Sequence, residues 1–545
     1  MSLRATLDRA LLYARTLRHL KPVQVTGRLR MKLIRPALPA ATAAPRRATV
    51  GPWAIPAEKP QSLLGPARFR ALSHEAEISG PQAWNDSRHT KLWLYNLHYF
   101  DDLAGTPDAT RDGWRAALIS RWIAENLAAG GNGWEPYPTS LRIVNWIKWA
   151  LAGHDPGPEA LASLSRQVRW LMLRLEWHLL GNHLFANAKA LVFAGLFFAG
   201  DEADTWLAQG LAILKRELDE QILADGGHFE RSPMYHAIIL DDVLDLINIA
   251  RAFGQSSDPV LARLPAIAAR MGTWLAAMTH PDGGISFFND AAFGIAPTPA
   301  DLAAYAARLG LRVAPAPGSL DLAASGYARL ARGPAVALID CAAIGPDYLP
   351  GHAHADTLAF ELSVHGARIV VNGGTSVYGE GPERLAERAT AAHSTVEIAG
   401  QNSSEVWGGF RVARRARIVE RSVMPDAGTA AAAHDGYARL AGKPVHRRNW
   451  RITDSRLTIT DTVTGGTAPA IARFHLHPAI AVHCAEGARR GTLTMPDGRA
   501  LGWSASAPVQ LAASRWAPEF GVVRPALCLV VPLVAGRSTF ELEWT

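Results

Sequence analysis

Between Glu159 and Leu180, apolar side chains fall at Leu161, Leu164, Val168, Leu171 and Leu175, the three-and-four spacing of one buried helix face. The same period runs through RDGWRAALISRWIAENLAAG, SLRIVNWIKWALAG, LFANAKALVFAGLFFAG, DTWLAQGLAILKRELDEQILA, IILDDVLDLINIARAFG and LARLPAIAARMGTWLAAMTH, with Gly, Pro and Asp as stops between them. Successive helices without intervening strands predict an all-helical domain: a bundle, a solenoid or a closed toroid. Beyond Leu311 the period drops to two. AVALIDCAA, TLAFELSVHGARIVVNGG, STVEIAG, RLTITDTVTG, ARFHLHPAIAV, ALCLVVPLV and STFELEWT are short, β-branched and alternating, with tight turns at HG, GG and DG. They predict antiparallel sheets packed as a sandwich. The stretch APAPGS, 314–319, reads as the linker.

A chain of 545 residues exceeds what one core usually supports, so two large domains are expected. The predicted division is a basic arm with lead-in helices over 1–80, the helical domain over 81–313, and the β domain over 320–545. Hydrophobic residues at 48% and charged residues at 19% exclude a disordered chain. The net charge of +7 suits an anionic partner, although much of the excess lies in the first fifty residues. Cys341, Cys484 and Cys528 are too few and too scattered for a disulfide framework or a zinc knuckle. No uninterrupted apolar run suits a membrane span, and the arginine-interrupted opening does not read as a secretion signal, so a cytoplasmic location is expected.

Candidate chemistry gathers at element edges. GNHLFANAKAL places Asn182 and His183 at a helix start, where an Asn also serves as a cap. ILADGGHFERSPMYHAII collects His228, Glu230, Arg231, Tyr235 and His236 around a proline, and GHAHADTLAFEL carries His352 and His354. These two histidines point the same way if the following strand extends through them. Trp134 and Tyr137, flanked by Gly and Pro, are candidates for stacking on a sugar face, and core packing is the alternative. Arg411, Arg414 and Arg415 are candidates for carboxylate binding or for a solvated strand face.

These segments, together with FFNDAAFG, VVNGGTSVYG, AAHSTVEIAGQNSSEVWGGFR, WLYNLHYFDDL and WEPYPTSLRIVNWIKW, occur in an order and spacing that resemble the heparinase II/III family of polysaccharide lyases. The resemblance implies an (α/α) toroid joined to an antiparallel β-sandwich, with a cleft between them for an acidic polysaccharide. It implies β-elimination: loss of the C5 proton of a uronate and expulsion of the O4-linked sugar. Such a reaction requires a neutralised carboxylate, a base, and an acid for the leaving oxygen. The positions matching the family's catalytic residues are Asn182, His183, Tyr235 and His352. Asn182 is expected on the carboxylate and Tyr235 as acid, with Tyr235, His352 or His183 as base. Arg231, Trp134, Tyr137 and Glu230 are expected to bind substrate.

The resemblance also implies a structural metal, usually zinc, at His354, Asn372 and His393. Here Asn372 stands where relatives carry Asp, and an amide is the poorer zinc ligand. Ala186 stands where several relatives carry Glu. Two alternatives come from other classes. One is an inverting glycosidase drawing its carboxyl pair from Asp225, Glu230, Asp241, Asp242 and Asp290. The other is a noncatalytic glycan-binding protein of exopolysaccharide production.

Overall fold

The computed structural model describes residues 3–127, 129–312, 315 and 318–545. The chain opens with α1 (Leu3–Leu17) and α2 (Pro22–Leu33), followed by a largely irregular stretch and a small antiparallel sheet of β1 (Leu63–Gly65), β2 (Arg68–Ala71) and β3 (His74–Glu77). This sheet was not expected in a region read as arm and helices. Its strands are only three or four residues long, too short for alternation to register.

The helical domain comprises α3 (Lys91–Tyr99), α4 (Ala109–Glu125), α5 (Pro136–Leu151), α6 (Gly157–Leu173), α7 (Gly181–Phe197), α8 (Asp201–Gln221), α9 (Pro233–Ala252), α10 (Leu264–Ala277) and α11 (Pro299–Arg308). Odd-numbered helices pack on one another in series, α3 on α5, α5 on α7, α7 on α9 and α9 on α11. The even-numbered helices lie outside them, α8 against α7 and α10 against α9. This is the inner and outer layering of a toroid. Composition explains the layers: in α7 every residue except His183 is buried, as for a helix apolar all round. Side-chain caps set several starts, with Thr90, Asp108, Ser232 and Thr298 accepting from Trp93, Arg111, Tyr235 and Asp301 amides.

Of the predicted linker, 314–319, residues 314, 316 and 317 lie outside the described residues. A five-stranded antiparallel sheet follows, in the order β4 (Leu320–Leu322), β5 (Tyr327–Arg332), β6 (Ala335–Asp340), β7 (Phe360–Val364) and β8 (Ala367–Val370). A four-stranded sheet is built from Gln510–Glu519, Val522–Pro532, Ala470–His475 and Val396–Ile398, in that spatial order. An eight-stranded sheet runs from Ile418–Met424 at one edge to Ala481–His483 at the other. The three share a core including Phe360, Trp450, Phe474 and Phe540.

The two halves are joined by buried polar contacts. His280 of the helical half bonds Glu361 Oε2 and Ser363 Oγ, both at 2.8 Å, and Tyr327 Oη donates to the Arg231 carbonyl at 2.7 Å. Within the β half, buried Arg448 donates to both Asp461 oxygens at 2.7 and 2.9 Å and to the carbonyls of Leu358 and Ser394. It thereby ties the eight-stranded sheet to the segments that enter β7 and follow His393. Burial opposes ionisation of Asp461, but Arg448 and His446 hold its carboxyl down at about 2. The stabilisation is therefore present above the ordinary carboxylate range and lost as pH falls through about 2. Asp461→Ala strands a buried guanidinium and is expected to reduce unfolding free energy by about 3–5 kcal/mol, measured by urea denaturation near neutral pH.

Candidate active site

A cleft of about 1190 Å³ opens between the toroid, the β half and the N-terminal helices. Its helical wall begins at α7. Leu180 and Gly181 both have positive φ, 65° and 56°, which turns the chain sharply into the helix. Leu180 is the N-cap and Asn182 lies inside the helix, so Asn182 is not a cap. Asn182 and His183 both line the cleft. His183 Nδ1 lies 3.0 Å from Glu176 Oε1, and its ring packs on Tyr137 at 4.5 Å. Burial would lower the His183 pKa, but Glu176 outweighs it and the net shift is upward. Glu176 is in turn held by the Asn187 amide at 3.0 Å.

The second wall is the start of α9. Ser232 caps the helix through the Tyr235 amide at 3.1 Å, which sets the first turn so that Tyr235 reaches the cleft. The Tyr235 hydroxyl lies 3.0 Å from that of Tyr378. Burial, then the neighbouring Tyr378 and Asp290, push the Tyr235 phenol well above its ordinary value. The phenol stays protonated in this environment. Glu230, also on the cleft, is raised by burial, partly offset by His352 and His183.

The β half supplies His352, whose ring stacks on Tyr235 with centroids 3.8 Å apart. His352 Nδ1 lies 2.9 Å from Asp290 Oδ2 and 3.4 Å from Tyr378 Oη, and its Nε2 is 3.7 Å from Glu230 Oε2. Nδ1 is thus engaged by Asp290, and Nε2, on the other side of the ring, faces Glu230. Asp290 is fully buried, and its other oxygen meets His354 Nε2 at 2.8 Å. Arg384 forks onto both Asp290 oxygens, with Nη2 at 2.7 Å from Oδ2. Burial would raise the Asp290 pKa, but Arg384 and the two histidines hold it well below the carboxylate range. The strand expected to carry the two histidines starts later, at Phe360. Because they lie on a loop, His352 faces the cleft while His354 is buried, with Asp290 between them.

Two helical turns deeper, the wall becomes a network of charges. Lys189 bonds Asp242 and Asp245 at 2.6 Å, Lys148 pairs with Asp245, and Lys59 reaches Asp241 at 3.0 Å. Asp242 lies seven residues beyond Tyr235, about 10 Å further along the α9 axis. Asp245 is anchored by Tyr305 at 3.0 Å, and Asn248 bonds both the amide and the carbonyl of Ala54. The irregular stretch near Ala54 and Lys59 thus packs against the inner helices at that depth. At the mouth, Arg415 pairs with Asp347 at 2.8 Å and Lys91 with Glu135 at 2.9 Å. The cleft has many cations, and most have an acid beside them.

Of the expected site residues, Asn182, His183, Tyr235, His352, Tyr137 and Glu230 all line this cleft. Two others do not. Trp134 is buried between Trp122 and Trp170, its indole N–H on the Asn126 carbonyl, so it is core. Arg231 adopts a positive φ of 59°, which turns its guanidinium away to the Ala343 carbonyl. The proposed metal ligands His354, Asn372 and His393 do cluster, but as a hydrogen-bonded group. His354 Nδ1 faces His393 Nε2 at 3.2 Å, and Asn372 Oδ1 accepts from the Ser394 amide at 3.2 Å. Both ring nitrogens of His354 are engaged, and among the described residues no three His, Cys, Asp or Glu side chains form a metal site. Asn372 in place of a carboxylate makes this a poorer donor set for zinc, while the buried His393 Nδ1 and Asn372 Nδ2 find no partner among the described residues. Burial, chiefly, lowers the pKa of His354 to about 4 and of His393 to about 3, as for neutral structural imidazoles.

Glu176, Tyr378 and Arg384 were not anticipated, and Asp290 was weighed only as a hydrolase carboxylate. None sits in a periodic pattern. Tyr378 and Asp290 lie within the quoted segments VVNGGTSVYG and FFNDAAFG, the only trace of them in the chain.

With the geometry in hand, the similarities to known proteins are specific. The heparinase II/III N-terminus profile matches residues 159–298, and the heparinase II/III-like C-terminal profile matches 314–545. The chain belongs to the heparinase II/III-like family. It is similar to the heparin-sulfate lyase of Bacteroides stercoris, 34% identical over 112 residues, which are 20% of this chain and 17% of that one. It is also similar to FtsZ-localized protein C of Caulobacter vibrioides, 26% identical over 445 residues, 76% of this chain and 74% of that one. The match thus spans less than a fifth of the Bacteroides lyase and about three quarters of the Caulobacter protein. The crystal structure of heparinase III shares the fold, with a TM-score of 0.66 at 17% identity over 87% of this chain and 79% of that one.

Because Glu176 is what raises His183, Glu176→Gln is expected to move the His183 titration to lower pH. NMR titration of the imidazole checks this, and an unchanged midpoint would show that Glu176 is electrostatically idle.

Proposed function

We propose that this protein is a polysaccharide lyase that cleaves a uronic-acid-containing chain by β-elimination, leaving a 4,5-unsaturated uronate end. The observation that carries the reading is the stacked Tyr235–His352 pair, with His352 oriented by Asp290, in the cleft that Asn182 and His183 also line. Asn182 donates to the uronate carboxylate without itself titrating, and His183, kept basic by Glu176, adds positive character beside it. His352 Nε2 removes the C5 proton. Tyr235, a phenol held protonated, delivers its proton to the departing O4 and recovers one through Tyr378. Burial keeps Tyr235 protonated, Arg231 bonds the Ala343 carbonyl, and His183 is engaged by Glu176, so the base role is assigned to His352.

Stacked rings present acid and base to the same side of the substrate. This suits syn elimination, hence uronates whose C5 hydrogen and O4 lie on one face, such as glucuronate. The paired cations of the cleft support a sparsely charged chain over a polysulfated one, since each anion must compete with an acid already in place. The hydrolase alternative requires two available carboxyls. Asp290 is committed to Arg384, Asp241 and Asp242 to lysines, and Asp225 to Ser325, leaving Glu230 without a carboxyl partner.

The test is ultraviolet detection of unsaturated product from heparosan, hyaluronan, alginate, heparin and bacterial exopolysaccharides. Turnover is expected on unsulfated glucuronate chains. Tyr235→Phe is expected to lower it by about 10²- to 10⁴-fold with fold and binding retained. Saturated products would sink the elimination mechanism, and binding without any turnover would favour a glycan-binding protein.

A further inference from the structure

The N-terminal helices are amphipathic in the reverse of the usual sense. A surface helix normally turns its apolar stripe inward. In α2 the buried residues are Gln24, whose amide bonds the Tyr348 carbonyl at 3.2 Å, and Gly27. A Cβ at Gly27 would lie 2.9 Å from the His178 backbone nitrogen, so this face packs tightly on the toroid. The stripe at four-residue spacing, Val25, Leu29 and Leu33, faces out, Leu29 at 55% and Leu33 at 79% exposure. In α1, Tyr13 and Thr16 turn inward to Trp407, while Leu7, Ala10, Leu11 and Ala14 are exposed. Among the described residues, seven of the eighteen exposed large hydrophobics lie before Arg35.

Charge is concentrated on the same segment. Residues 1–35 carry nine Lys and Arg against one acid, Asp8, a net +8, so the other 510 residues together sum to −1. On α2, Arg28 and Lys32 flank the apolar stripe on one side and Arg30 on the other, and all three are exposed. An outward apolar stripe bordered by cations is what an interfacial helix presents to lipid: the stripe enters the acyl boundary and the basic flanks meet anionic headgroups.

We propose that helices α1 and α2 dock this protein on an anionic lipid membrane surface. Charge complementarity selects this occupant over a second copy, since apposed copies would bring two +8 segments together. The docking face adjoins the cleft: Leu17, Leu20, Gln24 and Arg28 line the rim, so attachment holds the cleft mouth beside the bilayer. The proposal is independent of catalysis.

The experiment is cosedimentation of the full chain with phosphatidylcholine vesicles, with and without phosphatidylglycerol, across a salt series. Pelleting is expected with phosphatidylglycerol and is expected to fall as salt rises. Leu29→Glu with Leu33→Glu, and separately Arg30→Glu with Lys32→Glu, are expected to weaken partition about tenfold or more. Thermal melting should stay unchanged, because these side chains are exposed. Equal partition to both vesicle types, partition unaffected by both double variants, or no pelleting would overturn the proposal. So would a concentration-dependent dimer, without pelleting, that the leucine variant dissolves.

Discussion

One buried carboxylate organises the candidate site. Asp290 has no solvent to stabilise its charge, so its environment must supply partners, and those partners come from three separate segments: His352 and His354, Thr375, and Arg384. Arg384 keeps the charge in place, and the charge in turn fixes the His352 tautomer. Asp290 is on the helical side of the junction and its partners are on the β side, so the relation between the two halves and the aim of His352 are set by the same contact. It also holds His354 in place, whose other ring nitrogen faces His393.

The rest of the cleft follows from helices entered at one end. Positions at the starts of α5, α7 and α9 carry Tyr137, Asn182, His183 and Tyr235, and positions two to three turns on carry Lys148, Lys189, Asp241 and Asp242. The polar side chains are tolerated inside a ring of apolar helices because each level answers its own charges. At the upper level Glu176 answers His183; at the lower, three lysines meet three aspartates. A helix as apolar as α7 carries Lys189 in its interior only because Asp242 and Asp245 face it from α9.

Periodicity made the two-domain order readable, because α6 and β7 differ in the period of their apolar residues before any contact is known. It was silent on β1–β3 and on which tryptophans face the cleft. Trp134 illustrates the difficulty: flanking glycine and proline suggest a loop, but the indole N–H finds the Asn126 carbonyl and the ring enters the aromatic core. Arg231 was misplaced for a related reason, since its neighbours Glu230 and Tyr235 do reach the cleft, and only the positive φ sends its side chain elsewhere. The Asp290 network was the least accessible. Its members are separated by up to 94 residues in the chain and follow no period.

The central claim is that a uronate sits with its carboxylate on Asn182 and its C5 hydrogen before His352. A crystal structure of Tyr235→Phe soaked with a heparosan oligosaccharide tests it most directly. The predicted result places the carboxylate within hydrogen-bond distance of the Asn182 amide, with C5 facing His352 Nε2 and O4 beside residue 235. A uronate carboxylate bound instead on Arg411 or Arg415, with C5 turned from His352, would contradict the account.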